Sequence, residues 1–299
     1  MSTAIETRGL RYAASRDFAI EDLTLKVPTG ALYGFLGPNG CGKTTTIRLL
    51  LGLLRPDAGT VRLLGHDLPA GLPQALAATG VVPDRPHLHR YLTVADALNF
   101  HGAFYPRWDG KWARELTGEF RLLPGQKLAG LSKGETAKLM LLLALCQMPE
   151  LLVLDEPMDG LDPVVRRDVL TALLDYVSQR GATVFVSSHL VHELERFCDW
   201  VGVMDRGRLV VELPMEEFRS GNKRIRVTGS PAVSPADPPF TLLARETGAG
   251  PLETWVVRGW QPEMSGWFEH SGIAVRDVAD LDLEDGFVEL LRAFRARSA

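Results

Sequence analysis

Residues 37–45 read Gly-Pro-Asn-Gly-Cys-Gly-Lys-Thr-Thr and stand between the apolar run ALYGFL and the helix-like run TTTIRLLLGLL. Strand, glycine loop and helix in that order are the context a phosphate cradle requires. Gly37, Gly40 and Gly42 let backbone N–H groups turn toward a polyphosphate, with Pro38, Asn39 and Cys41 filling the loop between them. The helix that follows points its positive end at the same anion. Lys43 is placed to neutralise the β and γ phosphates, and Thr44, ahead of Thr45, to offer a hydroxyl to Mg2+, which prefers a few protein oxygens plus phosphate and water.

The surrounding pattern is α/β. Short β-like runs at 23–27, 31–36, 61–64, 151–154, 183–186 and 201–204 are separated by helical patterns. LLVL before Asp155 and TVFV before Ser187 are continuously apolar, which predicts strands buried on both faces of a parallel sheet. Between about Asp84 and Gln147 the strand signal vanishes, and helices are expected near 93–104, 110–120 and 132–147. After about Ser220 the texture changes to a Pro-rich stretch, SPAVSPADPPF, and β-like patches at 255–257 and 273–278. A last helix is expected over LEDGFVELLRAFR, with Leu283, Phe287, Leu290, Leu291 and Phe294 on one stripe that packs on the tail's own strands. Trp255, Trp260 and Trp267 are candidates for that small domain's core.

Asp155 and Glu156 end the LLVL strand. Paired acids there also suit a helix cap, but beside a phosphate loop Asp155 is placed to hold Mg2+ through water and Glu156 to polarise the water that attacks the γ phosphate. Ser132 and Glu135 form an S-x-x-E capping box ahead of the apolar run KLMLLLAL, so a helix starts there whatever its further role.

With these motifs in order, the chain resembles the nucleotide-binding subunits of ABC transporters over about residues 3–218. Leu131-Ser132-Lys133-Gly134-Glu135 is similar to the family's signature motif, 159–163 (DGLDP) to its D-loop, and His189 after TVFVSS to its switch histidine. The resemblance implies that Ser132, Gly134 and Glu135 contact ATP held by an opposite subunit and that Asp162 links the two sites. It also implies that His189 meets the γ phosphate and the attacking water, and that Tyr12 stacks on adenine. The implied fold is the P-loop NTPase fold of ABC ATPase type, with a core parallel sheet, N-terminal antiparallel strands and a helical subdomain, followed by a small α+β C-terminal domain. Its boundaries are expected at 1–219, with the helical part at about 84–148, and 222–299. The ending LEDGFVELL resembles bacterial exporter ATPases that carry a short C-terminal domain.

The implied cofactors are ATP and Mg2+. The implied partners are a second ABC ATPase domain, in a homodimer or heterodimer, and separate transmembrane permease subunits. The alternative is a soluble ABC ATPase that remodels a protein complex, against which the short Lys43–Ser132 spacing speaks, since it leaves no room for a long coiled coil. Nucleic acid is not an expected partner, because the net charge is −4. Three cysteines without paired metal spacing suit a reducing compartment, and MSTAIETRGL has no apolar core that would mark a secretory signal. The longest apolar stretch, about ten residues from Leu139, is far below the ~20 needed to cross a bilayer. The expected location is therefore the cytoplasm, peripheral on the inner membrane face through the permease.

Two positions depart from the family pattern. Asp84 stands where a glutamine is usual, placing a carboxylate near the phosphates, and Lys133 stands where glycine is commoner. His87, His89 and His101 do not have metal-site spacing, and the segment that carries them is expected to meet the membrane partner. Cys41 is read as a tolerated small residue whose place in the loop could make turnover sensitive to thiol reagents.

Overall fold

The computed structural model describes residues 2–15, 18–228, 238–247 and 252–297. Most of the Pro-rich stretch, 230–237, lies outside the described residues. The chain forms two compact units, Met1–His189 with Gly202–Leu209, and Leu190–Val201 with Val210–Ala299.

Strands β1 (Thr3–Ala13) and β2 (Ala19–Pro28) pair antiparallel, and β3 (Leu32–Leu36) leads through the glycine loop into helix α1 (Lys43–Leu50). Then follow β4 (Ala58–Leu63), β5 (His66–Asp67), α2 (Leu72–Ala77) and β6 (Thr79–Val82). Three helices come next, α3 (Val94–Gly102), α4 (Gly110–Glu119) and α5 (Lys133–Leu145), before β7 (Leu151–Asp155), α6 (Pro163–Arg180) and β8 (Thr183–Ser188). The chain continues through α7 (Val191–Leu194), β9 (Trp200–Asp205), β10 (Arg208–Pro214), α8 (Met215–Ser220) and β11 (Asn222–Thr228). It ends with β12 (Thr241–Thr247), β13 (Leu252–Arg258), α9 (Ser265–His270), β14 (Ala274–Asp280) and α10 (Leu283–Arg297).

One sheet has the order β2-β1-β4-β5 and is antiparallel in its pairs. A six-stranded sheet has the order β10-β9-β3-β8-β7-β6, with β3–β8, β8–β7 and β7–β6 parallel. Every residue of β7 and β8 is buried, as their unbroken apolar runs require of central strands covered on both faces. Tyr33 of β3 stacks on Phe185 of β8 at a ring distance of 5.5 Å, and Phe35 packs tilted against the same ring at 5.1 Å. Each such fully buried ring contributes about 1.5–3 kcal/mol from removal of apolar surface. The strand ends of this core fix where the glycine loop and the two acids emerge.

The helices start where their caps dictate. Thr93 and Asp96 form a capping box on α3, Ser132 and Glu135 on α5, while Asp109 and Asp162 cap α4 and α6 by accepting from two backbone N–H groups each. No strand interrupts residues 83–150, apart from an isolated bridge between Thr93 and Lys127.

The second unit is an antiparallel sheet of order β12-β13-β11-β14. One face holds a core of Ile225, Val227, Phe240, Trp255, Val257, Trp260, Phe268 and Ile273, against which the half-buried Trp267 packs. Helix α10 buries Leu283, Phe287, Leu290 and Leu291 and packs on β11, β12 and α7, the arrangement its apolar stripe predicts. Among the described residues, no helix is long and apolar enough to cross a membrane.

Candidate functional site

The glycine loop wraps the start of α1. Gly42 caps that helix with φ of 119°, and a side chain there would meet Ile20, Phe18 and Met204 at 2.8 Å, so only glycine lets the loop close against β2 and β9. The Lys43 ammonium, 6% exposed, folds back to donate to the carbonyls of Gly37 (2.6 Å) and Pro38 (3.3 Å). Cys41 is buried beneath the loop and its thiol is pushed above its ordinary value, chiefly by burial, which makes it a poor nucleophile rather than a reagent-sensitive one.

Glu156 follows β7 in a left-handed conformation, φ 49°. Its Oε2 accepts from His189 Nδ1 at 3.0 Å, and its Oε1 lies 3.1 Å from Lys43 Nζ without hydrogen-bond geometry. A carboxylate oxygen is thus buried, with no hydrogen-bond donor among the described residues, beside the cation of the glycine loop. Beside it, Ser187 of β8 donates to Asp155 Oδ1 at 2.7 Å and accepts from the Glu156 backbone N–H at 3.0 Å. Burial pushes the Asp155 carboxyl above its usual range, only partly offset by hydrogen bonds from Ser187 and Thr44, with Asp84 and Glu156 adding repulsion. An acid strained in this direction next to a threonine hydroxyl is a fitting oxygen donor set for a hard divalent cation, which would favour the ionised form.

These groups open on a cleft of about 530 Å³, within the size range of nucleotide-sized ligands. Of the residues expected at the site, Asn39, Gly40, Gly42, Lys43, Thr44, Thr45, Asp84, Glu156 and His189 line it. Gly37, Pro38 and Asp155 stand just behind, holding Lys43 and Ser187. Ser132, Gly134, Glu135 and Asp162 lie elsewhere, at the N-termini of α5 and α6, which pack so closely that a side chain on Gly134 would press on Val165 at 3.0 Å. Tyr12 pairs in register with Ile20 on the antiparallel sheet and does not line the cleft. The aromatic that does is Phe18, which sequence reasoning missed. Its signal was the β1–β2 hairpin, which returns the chain to the glycine loop at Phe18 rather than at Tyr12. Arg85 and Asp159, the latter opening the D-loop-like run 159–163, also line the cleft, where the sequence reading expected neither.

The ABC transporter family description matches residues 20–159. The chain is 30% identical over 304 residues to the bacitracin transport ATP-binding protein BcrA of Bacillus licheniformis, a match that covers 97% of this chain and 98% of that one. It is 35% identical over 217 residues to the Nod factor export ATP-binding protein I of Cupriavidus metallidurans, covering 71% of each. A solved ATP-binding subunit of an ABC transporter superposes with a TM-score of 0.66 at 29% identity, over 73% of this chain and 92% of that one. Since the likeness to BcrA runs nearly end to end and is not confined to the phosphate loop, the chain belongs to the ABC transporter family, as one of its ATP-binding, ATP-hydrolysing subunits.

Proposed function

We propose that the cleft of the first unit binds Mg-ATP, completes its catalytic site only when a second ABC ATPase domain closes over it, and thereby drives separate transmembrane permease subunits. The observation that carries this reading is the Glu156 carboxylate, held between Lys43 and His189 at the mouth of the glycine loop. In this reading Lys43 leaves its own loop carbonyls for the β and γ phosphates, and Glu156, released from Lys43, takes a proton from the attacking water while His189 orients it. Mg2+, when bound, would neutralise phosphate oxygens, with Thr44 and, through water, Asp155 as its holders. Gly37, Pro38, Asn39, Gly40, Cys41, Gly42 and Thr45 shape the phosphate cradle. Phe18, alongside or instead of Tyr12, flanks the base, and Asp84 adjusts charge near the γ phosphate.

Ser132, Gly134 and Glu135 would approach the nucleotide of the opposite subunit, and Asp162 would connect the two sites. Their placement away from the cleft of their own chain supports a role in trans. We assign residues 1–219 to the nucleotide-binding domain, with its helical part at about 84–148, and 222–299 to an accessory domain. Exposed rings at Tyr91, Phe100 and Phe104, in ring contact with one another or with His89, support the 84–105 segment as the permease-facing surface. The names of the relatives above, bacitracin transport and Nod factor export, support export as the direction and the inner membrane face as the location.

The test is Glu156→Gln in the full chain. Turnover is expected to fall by at least ~100-fold while ATP binding persists, giving a dimer trapped with ATP that light scattering detects. Absence of ATP binding, or full turnover by a monomer, overturns the reading.

A further inference from the structure

In the second unit Trp255 and Val257 of β13 point into the aromatic core, so Val256 and Arg258 lie on the opposite sheet face, where α10 packs. Arg258 is half-buried there. Its Nη1 is sealed from solvent and has no hydrogen-bond acceptor among the described residues. Arg297, in the last turn of α10, donates to the Leu242 carbonyl at 3.2 Å. Leu242 is the register partner of Val257 and Thr241 that of Arg258, so Arg297 is anchored one position along β12 from the register partner of Arg258. The Arg258 charge is disfavoured first by burial and then by Arg297.

Four acids of this unit are paired with other cations: Glu253 with Arg245, Asp280 with Lys223, Asp285 with Arg224 and Glu289 with Arg292. Asn222, across the register from Arg258, has a buried Oδ1 without a donor among the described residues, but a neutral amide cannot cancel a charge. The negative end of α10 offsets part of the repulsion, yet none of its described carbonyls accepts from Arg258. A half-buried guanidinium with one nitrogen sealed from solvent and, among the described residues, without an acceptor is costly unless an anion completes it.

We propose that Arg258 and Arg297 form an oxyanion site in the second unit that takes a phosphate group between the two guanidinium forks. Two forks from different elements balance a dianion and satisfy its several lone pairs, which one cation does not. The phosphate comes either from solution or from the headgroup of an anionic lipid, and the site is independent of the ATP cleft.

The test uses the full chain, melted in chloride and in inorganic phosphate, as parent, Arg258→Gln and Arg297→Gln. Phosphate binding at the glycine loop raises Tm equally in all three, so only the difference reports on this site. Arg258→Gln is expected to melt higher than the parent in chloride, because an uncompensated charge is gone, and both variants are expected to lose roughly half or more of the phosphate-dependent gain. Co-flotation with phosphatidic acid vesicles, whose headgroup is a phosphate monoester, against phosphatidylcholine, separates the sources. Arginine-dependent flotation identifies a lipid headgroup, and a variant-sensitive phosphate gain without flotation identifies soluble phosphate. If Arg258→Gln folds poorly, Arg297→Gln, at an exposed position, still reads out both measurements. Phosphate gain and flotation identical to the parent in Arg297→Gln overturn the proposal.

Discussion

Ser187 shows how one hydroxyl holds the chemistry of the cleft in place. It is fully buried, donates to Asp155 and accepts from the Glu156 backbone, so it fixes the two acids relative to each other. Ser187→Ala removes the donor that offsets part of the burial of Asp155 and leaves an N–H unpaired. Stability is expected to fall by about 1–3 kcal/mol in denaturant titration. The Mg2+ concentration for half-maximal ATPase is expected to rise on the order of tenfold, as when a group orienting a metal ligand is lost. A loss of stability with unchanged Mg2+ dependence would assign Ser187 a packing role alone. The residues flanking this serine were legible in sequence because each lies in a contiguous run whose order carries the meaning, as in residues 37–45 and 151–157. Ser187 and Phe18 were not, because their roles come from strand pairing. β7 sets Asp155 opposite Ser187, and β1 with β2 brings Phe18 to Gly42.

At the scale of elements, the helical region between β6 and β7 is tied together by His101 of α3. Its ring lies 4.9 Å from Tyr105 and 5.7 Å from Trp108, and its Nε2 is 2.7 Å from Gln147 Nε2. That amide nitrogen also donates to the Leu143 carbonyl at 3.1 Å, so it is a donor and the histidine Nε2 must be the acceptor, with the ring neutral. Burial lowers the pKa of His101. The unfolded chain therefore takes up this proton near its ordinary value of ~6.5 while the folded chain resists it. The contribution to stability is complete above that value and is lost as pH falls below it. His101→Gln, which keeps a polar partner for Gln147 but cannot be protonated, is expected to flatten the decline of Tm between about pH 6.5 and 5. An equal slope in parent and variant would remove His101 from the account.

The same scale shows where periodicity reads well and where it does not. The expected helices at 93–104, 110–120 and 132–147 match α3, α4 and α5 within a few residues, because Thr93, Asp109 and Ser132 announce their starts. Strand β1 was only implied by the family likeness. Its alternation is broken by register shifts around Gly9, a glycine in the left-handed region. β11 carries Lys223, Arg224 and Arg226 around just two core residues, Ile225 and Val227, so its strand character comes from central pairing with β13 and β14 rather than from its own hydrophobicity.

Across the whole molecule, chain order and compact units do not coincide. The chain leaves the first unit after His189, forms α7, returns at Gly202 for the larger parts of β9 and the start of β10, and leaves again at Val210. A change of composition near Ser220 is visible in sequence, but the earlier excursion is not, since Val191–Leu194 is a single turn of ordinary residues whose partner, α10, lies about a hundred residues later. A truncation that removes 222–299 therefore does not free a self-sufficient remainder. It strips α10 from α7 and β11 from α8, elements that bury Leu194, Met215 and Phe218. Uncovering side chains of that size costs about 1.5–3 kcal/mol each and leaves a contiguous apolar surface. The truncated chain is expected to melt lower than the parent and to bind a hydrophobic dye in its native state. A truncation with unchanged Tm and no dye binding would show that α7 and α8 do not depend on α10 and β11. For that reason point substitutions such as Arg297→Gln, which leave the sheet of the second unit covered, are the cleaner probes of what the accessory domain does.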